Sequence, residues 1–503
     1  MGTARYLLGI DNGGTITKAA LYDTSGTELA VSSVKSEMIF PHPGHAEKDV
    51  DAPWAANVRV IGEVIGKAGK RAGEIAGIAV TGHGNGMYLT GEDGRPAHNG
   101  INSADSRATP YMERWYRDGT FDRVLPKICQ PIWAGQPAPL LAWFRDNHPK
   151  ELERTRWVFM CKDYIRWRLT GEAFGEVTDY SGTSLMNVRD FRYDADVFAA
   201  YGLEGAAAKL PPVRRSSDIC GRVTRAAAAE TGLAEGTPVA GGMFDIVACA
   251  VATGITDTDR LCLIAGSWSI NEYISPSPVQ HRDYFMSVAY CMPGYWLIAE
   301  NSPTSASNLE WFVSELMKGE RRDAREGGRS VYDECNDLVG GVPPEKSDIL
   351  FLPFLYGSNA GPHASGGFIG LHGWHTKAHL LRAIYEGVTF SHRTHVDRFL
   401  LVRPPARAAR IAGGAAKSDV WLQIFADVLQ LPIEVTASEE LGAMGAAMSA
   451  GVGVGLFSSF EEAVSRMVRV SRTVEPDTGK KAVYDEKYAE YGKCIGALKS
   501  VWG

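Results

Sequence analysis

An apolar run, a polar turn and a second apolar run occur twice along the chain. The first is Leu7-Leu8-Gly9-Ile10, then Asp11-Asn12-Gly13-Gly14-Thr15, then an apolar stretch from Ile16 to Leu21. Short apolar runs split by a two-glycine turn predict a β-hairpin, and a third strand over 28–34 makes it a meander. The second copy is the strand 261–265, a turn at Gly266-Ser267 and another strand, followed by hairpin strands over 284–291 and 295–300. The repeat is one of pattern and not of residue identity. Between and after these meanders, helical and strand periods alternate. A helix is predicted over 54–67, a buried parallel strand over 75–80, and a helix over 162–170 closed by Gly171. A strand over 238–240 runs into Gly241-Gly242, and a helix of small apolar residues starts at about Asp245. Leu309, Phe312, Val313 and Leu316 share one helical face, as do Leu381, Ile384, Tyr385 and Val388, and Trp421, Ile424, Phe425 and Val428. Residues 410–419 read as strand, glycine turn and helix start with Ser418 as cap, and a small-residue helix over 442–447 is expected beside that turn.

Composition changes the picture in a few places. With 503 residues and 45% apolar content, two large domains are expected, 1–252 and 253–503, each with its own core. A formal net charge of -7 without a basic run argues against nucleic acid or an anionic membrane surface as partner, and favours a small neutral substrate. No run is long enough to cross a bilayer and no signal-peptide pattern opens the chain, so a cytoplasmic location is expected. The eight cysteines have no CxxC spacing and read as reduced packing residues. His42 with His45, and His372, His375 and His379, lack a Cys or carboxylate partner at ligand spacing, which argues against a structural metal.

The candidate chemistry sits at strand ends. At the first hairpin tip, Gly13 and Gly14 can take positive φ, Thr15 offers a hydroxyl, and Asp11 can hold a hydrated Mg²⁺ beside phosphates. The polar, glycine-rich Thr81-Gly82-His83-Gly84-Asn85-Gly86 run follows a buried parallel strand, where open α/β sheets place ligand loops, and makes His83 and Asn85 substrate candidates. Asp105 can accept from sugar hydroxyls while Arg107 fixes it, or the two form a solvated surface pair. Trp133 can stack on a ligand or pack in the core. Asp179 to Thr183 reads as a polar loop. Asp245 would be held ionised by its helix N-terminus, ready to accept a proton; an N-cap without chemistry is the alternative. Gly413 and Gly414 would let a flat ring approach the backbone.

The order of the Asp11 loop, the Asp245 helix, the Gly266-Ser267-Trp268 turn and the Gly413-Gly414-Ala415 turn resembles the FGGY carbohydrate kinases. Ser365-Gly366-Gly367-Phe368-Ile369-Gly370-Leu371, with Ala383-Ile384-Tyr385-Glu386-Gly387 after it, fits that family's C-terminal signature; the N-terminal signature near 162–167 is matched loosely. Residues 302–305, 308–312 and 351–361 look most like its L-xylulose kinases, while the polar side chains of the 82–86 loop depart from them. The resemblance implies an α/β fold of two actin-like (ribonuclease H-like) domains, with mixed β-sheets flanked by helices around a central cleft. It also implies ATP-dependent phosphorylation of the terminal hydroxyl of a pentulose, L-xylulose first. D-xylulose, ribulose, erythritol or glycerol, and a water-activating ATPase on the same fold, stay as alternatives. By the same resemblance Asp245 is the catalytic base and, with Asp11, a metal residue. His83, Asn85, Asp105, Arg107, Trp133 and Asp245 would meet the sugar on the first domain. Asp11, Gly13, Gly14, Thr15, Lys18, Gly266, Ser267, Gly413, Gly414, Ala415 and Ser418 would hold ATP. The implied cofactors are ATP and Mg²⁺ and the implied partner a small-molecule sugar, with a homodimer among the assemblies left open.

Overall fold

The structure is a computed structural model. It describes residues 5–49, 51–69, 71–358, 360–361 and 363–502; Asn359, within the 351–361 stretch, lies outside them. The chain divides into two compact units, one of Met1–Thr256, Ile274–Ile298 and Ser438–Arg469, the other of Asp257–Tyr273, Ala299–Ala437 and Val470–Gly503.

In the first unit the apolar runs Tyr6–Asn12, Ile16–Asp23 and Glu28–Lys35 form an antiparallel meander. Ile75–Gly82 joins its free side in parallel, followed by Pro238–Ala240 and Ile219–Arg222, to give a mixed sheet. Alternation along Tyr6–Asn12 is absent because both faces are covered: Leu7, Leu8 and Ile10 are all fully buried. On one face, helix Ala52–Lys67 contributes Trp54, Val60, Ile61 and Val64 to a core with Leu8, Ile10, Leu21, Ile78 and Val80. A separate core builds the 87–213 region around Trp115, Phe121, Leu140, Leu141 and Phe144.

The second sheet repeats this plan. Arg260–Ala265 pairs antiparallel with Ser269–Ser275 and parallel with Ala408–Ala412, which is followed by Ile433–Thr436 and Val470–Val474. Its third meander strand is Trp296–Ser302, not the strand next in sequence, Met286–Ala289, which lies one place further out. Two of the three predicted helical stripes are buried throughout. The third stops short: Leu316 ends helix Ser307–Leu316 and is 55% exposed, because the chain turns there and Met317 takes the buried place.

Helix Leu441–Gly453 packs on strands Tyr6–Asn12 and Ile75–Gly82 and on helix Asp245–Ala252 of the first unit. Leu441 through Gly451 are all buried. A helix with no polar face must be enclosed, and its small residues permit backbone-close packing. No helix among the described residues is long and apolar enough to cross a membrane.

Candidate functional site

The first hairpin brings Asp11 to the end of a buried strand, in register with Lys18 on one side and Thr81 on the other. Its Oδ1 is buried and has no hydrogen-bond partner among the described residues. Burial pushes the carboxyl up to about 6, with Lys18 opposing and Glu440 adding to the shift. Gly442 lies directly against it: a Cβ there would stand 2.4 Å from Asp11 Oδ2. Lys18 is tied to Glu440 at 2.8 Å. The tip itself, Gly13 to Thr15, is open, with Thr15 exposed. Neither glycine takes the expected positive φ; a Cβ on Gly13 would approach Ile16 O at 3.0 Å, so it is the missing side chain that counts.

The neighbouring strand delivers the 83–87 loop. His83 N donates to Asn12 O at 3.0 Å and Gly86 N to Gly135 O at 2.8 Å, which fixes both ends of the loop. Asn85 is held at φ 61, a conformation that stores strain in a residue with a Cβ. His83 Nδ1, Asn85 Oδ1 and Asn102 Nδ2 are buried without hydrogen-bond partners among the described residues. Burial first, and the Lys48 charge second, keep His83 neutral, with its pKa down to about 3.

Met243–Phe244 pairs with Thr81 and Gly82 and hands the chain to helix Asp245–Ala252. Thr81 Oγ1 donates to Met243 O at 2.7 Å, and Phe244 N to Thr178 Oγ1 at 2.9 Å, so Asp245 starts from an anchored backbone. The expectation that the helix N-terminus keeps Asp245 ionised is overturned. Desolvation, then the Asp11 charge, raise its pKa to about 8, and the backbone N–H groups of Ile246 and Asp245 only partly offset them. Two carboxylates in reach of one another resist being ionised together.

The 179–183 segment is not a loop. It is the short helix Val177–Tyr180 followed by the turn Ser181–Thr183, all buried beyond Val177. Asp179 is a candidate site residue that the sequence reading did not single out. Both its oxygens are buried without a hydrogen-bond partner, Lys162 Nζ lies 3.8 Å away, and burial drives its carboxyl well above the usual range, with Asp245 among the charges that add to this. Lys162 also meets Asp163 at 2.9 Å and Glu176 at 3.4 Å, and Arg166 meets Asp163 at 2.7 Å, all without solvent exposure. The available signal was charge density: Lys162, Asp163 and Arg166 lie on a helix that the apolar pattern requires to pack inward.

Asp105 and Arg107 are buried, not a solvated pair. Asp105 Oδ1 accepts from Arg107 N and Nε, and Oδ2 from Ala46 N and Arg107 Nη2. Arg107 also meets Glu47 at 2.6 Å and lies over the Trp143 ring. Four accepted bonds fill the carboxylate's capacity, so this pair braces the wall behind Asn102. Trp133 is partly buried, and its backbone N–H donates to Gln136 Oε1 at 3.1 Å.

In the second unit the two small-residue turns meet. Gly413 has φ 90, and a Cβ there would lie 2.6 Å from Ala265 O; Ser307 Oγ donates to Ser267 O at 3.1 Å. A Cβ on Gly266 would meet nothing within 4 Å among the described residues, so its tip is open, and Ala415 is buried behind it. Ser418 caps its helix, accepting from Trp421 N at 3.1 Å while its own proton goes to Asn336 Oδ1 at 2.6 Å.

A model of the N-terminal domain of the FGGY family of carbohydrate kinases matches residues 6–252, and one of the C-terminal domain matches residues 261–454. The chain is 38% identical to the L-xylulose/3-keto-L-gulonate kinase of Escherichia coli (strain K12), over 98% of this chain and 97% of that protein. It is 37% identical to a probable L-xylulose kinase of Pasteurella multocida (strain Pm70), over 99% of each. The crystal structure of xylulose kinase from Rhodospirillum rubrum matches with a TM-score of 0.88 at 27% identity, over 99% of this chain and 100% of that one. With this family go the mixed sheets flanked by helices described above, ATP as co-substrate and a small-molecule sugar as acceptor. The chain belongs to the FGGY family of carbohydrate kinases and is a sugar phosphotransferase of two actin-like α/β domains.

Proposed function

We propose that the chain transfers the γ-phosphoryl group of Mg-ATP to the terminal hydroxyl of a pentulose, with L-xylulose the preferred sugar. The observation that carries this reading is a set of buried polar atoms in the first unit with no partner among the described residues: Asp11 Oδ1, His83 Nδ1, Asn85 Oδ1, Asn102 Nδ2 and both oxygens of Asp179. Buried polar atoms left unpaired cost about 1–3 kcal/mol each, and a polyhydroxylated ligand offers both the donors and the acceptors they lack. The 38% and 37% identity with an L-xylulose/3-keto-L-gulonate kinase and a probable L-xylulose kinase supports the choice of sugar.

Asp245 takes the proton of the attacking hydroxyl. Raising its pKa towards the working pH makes the ionised form of Asp245 a stronger base than an ordinary aspartate. Asp11, a hard oxygen donor with an unfilled buried atom, fits Mg²⁺, which prefers one or two carboxylates plus phosphate oxygens and water. The metal, when bound, neutralises charge on the phosphoryl oxygens. His83, kept neutral, and Asn85 read the sugar hydroxyls, with Asn102 and Asp179 as further contacts. Gly266, Ser267, Gly413, Gly414 and Ala415 hold the nucleotide, the adenine ring lying against backbone bare of side chains. The test is ADP formation with L-xylulose, D-xylulose, the ribuloses, erythritol and glycerol. L-Xylulose should give the highest kcat/KM, and ADP production no faster with any of them than in water alone would refute the reading.

A further inference from the structure

Among the described residues of the first unit, Lys48 is the one buried cation that no carboxylate matches; Arg107, Lys162 and Arg166 each meet an acid. It is 3% exposed and sits in a two-residue strand, Glu47–Lys48, paired with Gly100–Ile101. Successive side chains of a strand point to opposite faces. Glu47 accordingly turns away to Asn99 and Arg107, and Lys48 turns to the hairpin tip. Its Nζ donates to Ser36 Oγ at 2.8 Å and to Gly13 O at 3.3 Å, two neutral acceptors for three N–H bonds. No ion pair joins it to an acid among the described residues. Burial lowers its pKa, and its charge helps to keep His83 neutral. A buried ammonium without a counter-charge is costly, and the open tip beside it, with the unpartnered His83 Nδ1 and Asn102 Nδ2, is where an anion would complete it.

We propose that Lys48 binds an oxyanion at the Gly13 tip during the reaction. The inference rests on the kinase reading above. Two sources share this chemistry: the phosphoryl group in transit, and the carboxylate of a sugar acid serving as substrate. The second has a precedent in the 3-keto-L-gulonate of the Escherichia coli relative's name.

The full chain and its Lys48→Met and Lys48→Arg variants should be compared in kcat and KM with L-xylulose and with 3-keto-L-gulonate. The rise of the thermal midpoint in inorganic phosphate and in gluconate gives a readout that needs no turnover. If the oxyanion is the phosphoryl group, Lys48→Met lowers kcat about 10²-fold with both substrates, loses the phosphate-induced rise, and is largely rescued by Lys48→Arg. If it is a carboxylate, only the sugar-acid kcat/KM falls, and the gluconate-induced rise goes with it. Lys48→Met keeping kcat/KM within twofold on both substrates, with the ligand-induced rises unchanged, overturns the proposal. Should Lys48→Met not fold, Lys48→Gln takes its place, and a wild-type chain whose midpoint neither phosphate nor gluconate raises overturns it equally. A wild type that phosphorylates no sugar defeats the kinase reading instead, while the midpoint shifts still decide the fate of Lys48.

Discussion

The two hairpin tips share a backbone plan and differ in what lies under them. Each joins two antiparallel strands with a parallel neighbour at the side. Under the first are Asp11, Asp179 and Lys48, ionisable groups whose hydrogen bonds are not all filled among the described residues. Under the second is His392, fully buried and fully satisfied. Its Nδ1 gives a proton to Asn271 Oδ1 at 2.7 Å, its Nε2 accepts from Ser305 Oγ at 3.0 Å, and Asn271 Nδ2 in turn donates to Ser269 Oγ at 3.1 Å. A satisfied neutral network rigidifies a surface, which suits holding a ligand in place. Unsatisfied polar groups wait for one. On the proposed reading the same supersecondary unit serves chemistry in one place and positioning in the other, and the side chains decide which.

The largest expected effect falls on the first tip. Asp245→Asn should lower kcat by about 10² or more while nucleotide binding, followed by calorimetry, is kept. It should also stabilise the ligand-free chain. A carboxyl raised from 3.8 to about 8 contributes fully below pH 3.8 and loses that contribution as pH rises through 8, so the variant's gain in urea midpoint should be greatest at pH 9 and vanish near pH 4. A variant less stable than wild type at pH 9 would mean that Asp245 is not strained.

Glycine substitutions separate the two tips. Gly442→Ala puts a Cβ 2.4 Å from Asp11 Oδ2; it should displace the carboxylate, raise the Mg²⁺ needed for half-maximal rate about tenfold, and cost about 1–3 kcal/mol of stability. Gly413→Ala meets Ala265 O at 2.6 Å in a left-handed backbone and should raise the KM for ATP several-fold while sparing the KM for sugar. The reverse pattern in a steady-state titration would exchange the roles assigned to the two turns.

Acid should act through both tips more gently. His83 and His392 titrate near 6.5 when unfolded and at about 3 when folded, so the unfolded chain binds protons that the native one refuses. Stability is complete above pH 6.5 and falls below it, by about 1.4 kcal/mol per pH unit for each histidine. His392→Gln should reduce that slope in urea unfolding between pH 6.5 and 5, at the cost of about 1–3 kcal/mol for its broken hydrogen bonds.

Local pattern was enough for the parts whose role is local. The Asp11 tip, the Gly413 turn, the Ser418 cap and the helix start at Asp245 are each written within a few consecutive residues, and the structure contains each as an element. What was not legible depends on enclosure. Helix Leu441–Gly453 has no polar face, so no register could say which sheet it covers. Asp179 resembles any turn aspartate until the surrounding 0%-exposed charges are known. The ionisation of Asp245 reversed because desolvation, invisible in sequence, outweighs a helix terminus that is visible there. Asp105 lost its free acceptors to a partner, Ala46 N, that lies 59 residues away in the chain.

The contrast between the tips is tested most directly by the kcat/KM for L-xylulose in two single variants, Asp179→Asn and His392→Gln, with the KM for ATP and the thermal midpoint measured alongside. The account predicts that Asp179→Asn lowers the sugar kcat/KM by about tenfold to a hundredfold, the worth of one buried hydrogen bond to a substrate hydroxyl, with the ATP KM within twofold. His392→Gln should leave the sugar kcat/KM near wild type and lower only the midpoint. An Asp179→Asn enzyme with normal sugar kinetics, or a His392→Gln enzyme that loses sugar discrimination, would contradict it.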